Sequence, residues 1–205
     1  AGRPHWSVEG EAGSFAAYRG ALRGAGSVGR FGFSGAFSAL SARNQRAHND
    51  YDQRSEQGRL DYAPGAHLAV GATFRGMQQS YTSPGDLRTP NTTPVEVTRF
   101  ENNLGTAFVE ARPSARWSTR LTLGHQEYFL RGTSRYNGGP EFVSRLGTRR
   151  WVVDWQHRIE PGSWIEVVAG LNREWSSVRD GGDGKEERLS ALYGQVRIEP
   201  ARDLT

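Results

Sequence analysis

The sequence predicts an all-β chain wound as the antiparallel, up-and-down wall of a transmembrane barrel. Three observations carry that expectation. Apolar and polar residues alternate with period two through ten segments, the signature of strands with two unlike faces. The connections between segments sort into short and long ones that alternate along the chain. The apolar face is thin: of 205 residues only 36% are hydrophobic, 26 are glycine, and the mean hydropathy is −0.68. A soluble domain of this size must fill an interior to high density with large aliphatics, and this chain has few of them.

The ten segments fall at about 5–13, 15–24, 28–42, 55–63, 66–79, 96–111, 116–131, 148–159, 163–178 and 187–199. In the third, Phe31, Phe33, Phe37 and Ala39 oppose Gly32, Ser34, Ala36 and Ser38. The fifth sets Leu68, Val70, Ala72 and Phe74 against His67, Ala69, Thr73 and Arg75. The sixth sets Phe100, Leu104, Thr106 and Phe108 against Arg99, Glu101, Asn103 and Val109. In the seventh, Trp117, Leu121, Leu123 and Phe129 oppose Arg116, Arg120, Thr122 and Gln126, with His125 and Glu127 falling on the apolar side unless a bulge shifts the register. The eighth and ninth form a hairpin around Pro161-Gly162. There Trp151, Val153 and Trp155, then Val167, Ala169 and Leu171, oppose Arg150, Asp154, Arg158 and Glu166. The tenth offers two apolar sets, Leu189, Ala191 and Tyr193 or Leu192, Val196 and Ile198, and its register stays open.

The short connections are 24–27, 63–66, 112–115, 160–163 and 199–202; the long polar ones are 43–54, 80–97, 132–148 and 179–187. The tight Gly-Ser-Phe at 13–15 is the exception in the second set. An outer-membrane barrel has tight turns at one end and long loops at the other, whereas Greek-key sandwiches do not sort loops by length. A lipid-facing wall has only to be apolar, so the apolar face is expected outward and the charged face toward a wet or plugged lumen. The expected lipid-facing residues are Phe33, Phe37, Val70, Phe74, Leu121, Leu123, Val153, Val167 and Leu171. The lumenal set is Arg99, Arg120, Arg150, Asp154, Arg158 and Glu166, and Trp117, Phe129, Trp151, Trp155, Trp164 and Trp175 are read as an aromatic girdle near segment ends.

Composition narrows the function. The net charge of +4 comes mostly from arginine spread along the chain, where a nucleic-acid surface would need a clustered patch. Zero cysteines exclude disulfides and thiolate metal sites. No basic-then-apolar leader opens the chain. Its first residues run straight into a strand and its last follow a turn, so a piece of a longer chain is expected. The five histidines lack metal-ligand spacing. Asp154 and His157 lie three apart and face opposite sides of a strand, so no catalytic constellation is read and the chain is expected not to be an enzyme.

Several stretches resemble the barrel wall of TonB-dependent outer-membrane receptors of the vitamin B12, siderophore and carbohydrate type. "VEGEAGSFAAYRG" (8–20) is similar to the first barrel hairpin, and "RFGFSGAFSALSARNQRAHNDYDQRS" (30–55) to the third strand and the loop after it. "SPGDLRTPN" (83–91) resembles the loop after the fifth strand, and "ARDLT" the start of a further one. The resemblance implies a bacterial outer-membrane location and a barrel of 22 strands. Residues 1–205 would then be its first ten or so, an open part-barrel without plug whose first and last strands stay edges. It further implies lipid, a plug domain, TonB and a small-molecule ligand as partners. Ligand contacts would lie in the outer loops, at Asn49, Asp50, Tyr51, Asp52, Tyr81 and Tyr136. Asp50 and Asp52 are weak candidates for Ca²⁺ by analogy with the cobalamin type, the simpler reading being a solvated loop; no other cofactor is implied. Rival readings are a complete ten-stranded barrel acting as adhesin or protease, and a soluble β-rich binding module.

Overall fold

The structure, a computed structural model, describes residues 2–45, 48–84, 95–135 and 139–199. Ten strands follow one another: β1 (His5–Gly13), β2 (Ala17–Val28), β3 (Phe31–Ala42), β4 (Tyr51–Gly65), β5 (Leu68–Ser83), β6 (Val95–Ser114), β7 (Trp117–Arg135), β8 (Glu141–Gly162), β9 (Ile165–Asp180) and β10 (Asp183–Ile198). Each pairs antiparallel with the next in chain order. Among the described residues no pair joins β1 to β10, so the sheet is open, with a free edge at each end.

The strands run further than the alternation marks them, because backbone pairing continues where the side chains lose their pattern. Connections shrink accordingly. The turn after β2 is Gly29-Arg30 rather than 24–27, with Gly29 at φ +60°, a left-handed conformation that glycine adopts without a Cβ clash. At the other end, 179–187 is no loop but a two-residue turn at Gly181-Gly182, with Gly181 at φ +61°. The alternation of short and long is therefore looser than the sequence implies. The segments 43–50, 84–94 and 136–140 are the longer connections, and they share an end with two tight turns.

A shared device closes the short-turn end. β4, β6 and β8 each break register just before their turn, between Tyr62 and Gly65, Ala111 and Ser114, and Ile159 and Gly162. Each break holds an X-Pro pair: Ala63-Pro64, Arg112-Pro113 and Glu160-Pro161. Proline has no N–H to give the ladder, so it is tolerated where pairing is already lapsing. The residue before it still donates, to the second residue of the neighbouring turn: Ala63 N–H to the Arg30 carbonyl (3.1 Å), Arg112 to His67 (2.8 Å) and Glu160 to Arg116 (2.8 Å).

Directly opposed residues share a face, so the register sorts the whole sheet. All nine residues expected toward lipid fall on one face. Of those nine, the uppermost on β3, β5, β7 and β9, counted from the short-turn end, are Phe37, Phe74, Leu123 and Leu171. Followed along paired rows to β9, the first three arrive at Ser177, Trp175 and Arg173. The apolar band thus slips by about one residue per strand. At about 3.3 Å per residue and about 4.8 Å between strands, a level band requires strands inclined by about 35°, the tilt of outer-membrane barrels.

Among the described residues no second layer covers this sheet. Ala21 and Val168 are the buried hydrophobic residues among those described, while Phe37, Phe74, Leu123 and Leu171 are 44%, 45%, 47% and 42% exposed. Glycine partly replaces packing between layers. Trp6 lies over Gly24 to reach Phe33 (6.2 Å between centroids), Phe108 lies over Gly71, and the Tyr193 ring covers Gly170. A Cβ at any of these three glycines would strike the ring above it.

Candidate functional site: the inner wall and its hollow

The opposite face is polar, and its charges pair across strands. Arg120 meets Glu110 (3.9 Å), Arg150 meets Glu174 (2.5 Å) and Arg158 meets Glu166 (3.8 Å). Arg23 meets Glu9 (3.1 Å), and along β4 itself Arg59 meets Asp61 (2.6 Å). Asp154 accepts from Asn172 Nδ2 (3.3 Å) and from the Tyr193 hydroxyl (3.2 Å). Five of the six residues expected in the lumen thus share one face, and all five bond or pair with the wall's own groups. Cross-strand charge pairs support the ladder without a buried core.

Arg99 is the correction. It stands opposite Ser80 and Arg131, in a row on the same face as Leu123, while Phe100, Leu104 and Phe108 point with the charged set. Hydropathy assigns the faces of β6 one way, and pairing with β5 and β7 fixes the opposite sense. Phe108 is held there by the Arg120 guanidinium, 4.2 Å from its ring centroid, and Thr106 by the Thr73 hydroxyl (2.5 Å). On β10 the register chooses Leu192, Val196 and Ile198 for the apolar face, opposite Leu171, Val167 and Ile165.

β7 carries no bulge near His125, so His125 and Glu127 do lie on the apolar face. They sit above its aliphatic part, His125 stacked on Trp151 (3.9 Å) and Glu127 paired with Arg149 (2.8 Å). Of the expected girdle, Trp117, Phe129, Trp151 and Trp175 lie on this face near or beyond the limits of the aliphatic band, and Trp164 is in the short turn. Trp155 is not a rim residue. It sits inside the band between Leu121 and Leu171, its indole N–H donating to Thr119 (2.9 Å), because the strand continues to Gly162.

Toward the long-connection end, one inner row runs Glu11, Arg19, Leu40, Gln53, Gln79 and Phe100 across β1 to β6. These side chains and their flanking residues line a hollow of about 1000 Å³. Its chemistry is mixed: amide donors and acceptors at Gln53 and Gln79, an acid and a base at Glu11 and Arg19, and the Phe100 ring, set edge-on to Tyr128 (5.1 Å). Such a surface can hold a polar ligand through hydrogen bonds with one apolar contact. No single motif marks these residues in the sequence, since they come from six strands.

The expected loop contacts are dispersed. Tyr51 and Tyr81 are in β4 and β5, directly opposed on the inner face just above the hollow, and Tyr51 donates to Gln53 (2.5 Å). Asp52 is a strand residue on the outer face, opposite Ser41 and Ser80. Asp50 pairs with Arg43 (3.3 Å), and the Asn49 carbonyl accepts from Asn44 (2.5 Å). Tyr136 lies outside the described residues. Among the described residues no three His, Asp or Glu side chains gather as a metal site.

No protein-family model matches the chain, and no curated protein does. Solved structures do. The copper transporter OprC superposes with a TM-score of 0.50 at 10% identity, covering 98% of this chain and 44% of its own. The ferric yersiniabactin uptake receptor FyuA from Yersinia pestis superposes with a TM-score of 0.41 at 10% identity, covering 95% of this chain and 43% of its own. The chain therefore spans less than half the length of these structures, and the first likeness identifies the fold as that of an outer-membrane barrel wall.

Proposed function

We propose that residues 1–205 form the first part of the barrel wall of an energy-coupled outer-membrane receptor of the TonB-dependent type, importing a small polar ligand. The observation that carries this reading is the combination of the two faces. One is an uncovered apolar band inclined at barrel tilt; the other is an ion-paired wall that needs water or a plug beside it. A soluble binding module with this sheet would leave thirty or so large apolar side chains in water, at a cost its few buried residues cannot offset. A complete ten-stranded adhesin or protease needs β1 to pair with β10, and the sheet ends at both.

In this reading the chain does no covalent chemistry. Its inner wall holds the plug by polar contacts, and the hollow around Gln53, Gln79 and Phe100 meets ligand entering at the long-connection end. TonB then acts on the plug, outside this chain. The likeness to a copper transporter and the chain's share of its length support a receptor role without naming the cargo.

Cysteine labelling of the full-length protein in intact cells tests the orientation. A membrane-impermeant maleimide is expected to label Asn44→Cys and Gly139→Cys in the longer connections, and not His67→Cys or Ser163→Cys in the short turns. Labelling of the turns in sealed cells would overturn it. Substituting Gln53 and Gln79 with Ala should lower uptake of the cognate ligand while the barrel still inserts.

A further inference from the structure

Charge is spread unevenly over the inner wall, and the unevenness follows height. Up to the row of Gln57, Arg75, Leu104, Gln126 and Arg150, the inner face of β4–β8 also carries Arg59, Glu110, Arg120 and Asp154. Above that row, four more inner rows cross these strands toward the long-connection end, the first three reaching β3 and the topmost spanning β5–β8. On β3–β8 only Glu96 among their residues is charged, in the topmost row between Ser83 and Ser134. The outer face of the same strands at the same height carries Arg54, Glu56, Glu101 and Glu127, and the row Arg99, Arg131, Arg145. Both faces there lie above the apolar band, so contact with water permits charge on either. Hydration therefore does not account for the neutral panel inside.

The panel is made of amides, hydroxyls and rings. Tyr51 donates to the Gln53 side-chain carbonyl (2.5 Å), the Gln53 Nε2 donates to Ser55 (3.2 Å), and Gln126 donates to Asn102 (3.0 Å). These bonds fix half-buried carboxamides in place and leave further N–H and C=O capacity toward the lumen. Tyr51 opposes Tyr81, and Phe100 meets Tyr128 edge-on (5.1 Å between centroids). At about 6.6 Å between rows and about 4.8 Å between strands, the panel covers about 20 Å by about 24 Å. It runs into the hollow of about 1000 Å³ over β1–β6. A carboxylate or phosphate on a ligand would need a facing cation. The nearest inner ones are Arg75 and Arg150 in the row beneath, Arg150 already paired with Glu174, and Arg19, paired with Glu11 (3.9 Å).

We infer that this inner panel is a binding surface for an uncharged oligosaccharide. Gln53, Gln79 and Asn102 hold its hydroxyls, and Phe100 and Tyr128 meet the C–H faces of its rings. The inference rests on the receptor reading proposed above and names the chemical class of its cargo. A carboxamide both donates and accepts, as a sugar hydroxyl does, and an aromatic ring offers an apolar plane to a pyranose. Neutrality has a reason in this setting, since an ion facing the ligand would have to give up water for a partner that carries no charge. The extent of the panel fits a chain of several sugar rings and exceeds what a single ring needs.

The test uses the full-length protein in phosphatidylcholine vesicles, with insertion measured first. An array of neutral oligosaccharides is then titrated, beside the same sugars bearing uronate or sulfate, and beside ferric citrate and cupric ion. At least one neutral oligosaccharide should bind, and at least about tenfold more tightly than its uronate-bearing counterpart. Gln79→Glu keeps the shape and adds a charge, and it should weaken that binding by about tenfold or more. Tyr128→Ala should weaken it comparably, while Thr133→Ala, on the outer face at the same height, should leave it unchanged. Absence of binding by every neutral sugar, or binding indifferent to both inner substitutions, would overturn the site. A lower melting temperature for Gln79→Glu with unchanged sugar binding would also overturn it, making the panel a seat for the plug. An inserted protein that binds only ferric citrate or cupric ion sinks the neutral class and leaves the receptor reading standing. One that never inserts sinks both.

Discussion

The strands β1–β3 and β7–β9 obey the same two-face rule with different materials. In β1–β3 glycine recurs through the outer rows: Gly20 faces Ala39, Gly24 faces Gly35, and Gly26 faces Phe33. Beside the facing pairs Val8–Leu22, Leu22–Phe37 and Val28–Phe31, large groups reach one another there by lying over these gaps, as Trp6 does over Gly24. In β7–β9 large groups meet directly, Leu121 with Trp155, Trp155 with Leu171, and Trp151 with Trp175. The first three strands have 9, 12 and 12 residues; the second three have 19, 22 and 16. A strand wall without a second layer therefore has two ways to be held. One is cross-strand packing of bulky pairs; the other is glycine, which lets a ring lie flat on the backbone but gives up conformational entropy on folding.

The sharpest way to break this comparison is a charge on the shared face. Leu123→Arg should destabilise the inserted barrel by about 2–4 kcal/mol, and Phe33→Arg in the glycine-rich region by a similar amount, because lipid and not the neighbouring strand sets the penalty. Thr122→Arg, on the inner face opposite Asp154, should cost less than about 1 kcal/mol. Urea titration in vesicles reads all three. Equal losses at positions 122 and 123 would mean that the face assignment is wrong.

Next in size comes the glycine device. Gly24→Val should destabilise by about 1–3 kcal/mol, since its Cβ meets the Trp6 ring, and Gly170→Val should behave likewise beneath Tyr193. Gly170 is on the inner face, so facing water does not by itself make a position tolerant. Combining Gly24→Val with Trp6→Ala should cost less than the sum of the single changes. Gly20→Ala, with nothing near its Cβ, should stay within about 0.5 kcal/mol of wild type or stabilise slightly. Additive losses at positions 6 and 24 would show that the ring is not seated there.

The two regions should also differ in motion. Amides of Val8 to Ala12 are expected to exchange with deuterium at least about tenfold faster than those of Leu121 to Gly124, which pair on both sides. Matching rates would remove the contrast. The smallest effect belongs to exposed ion pairs: Arg23→Ala, whose partner Glu9 is 50% exposed, should change stability by less than about 1 kcal/mol.

The sequence alone determined the ten strands, the antiparallel order and the common apolar face of β3, β5, β7, β8 and β9. Each of those strands alternates strongly enough that lipid and water leave one orientation. It also marked the X-Pro pairs that stop β4, β6 and β8, because a missing N–H ends a ladder wherever it falls. Only the tertiary structure decided β6 and β10. Alternation gives a strand two faces without saying which is shared with the neighbours. On β6 both faces are mixed, Arg99 and Val109 on one, Phe100 and Phe108 on the other, so the register of β5 and β7 settled it against hydropathy. The hollow over Gln53, Gln79 and Phe100, the covered glycines and the arginine row through Arg131 arise the same way. Each joins residues tens of positions apart, and backbone pairing between strands sets that alignment.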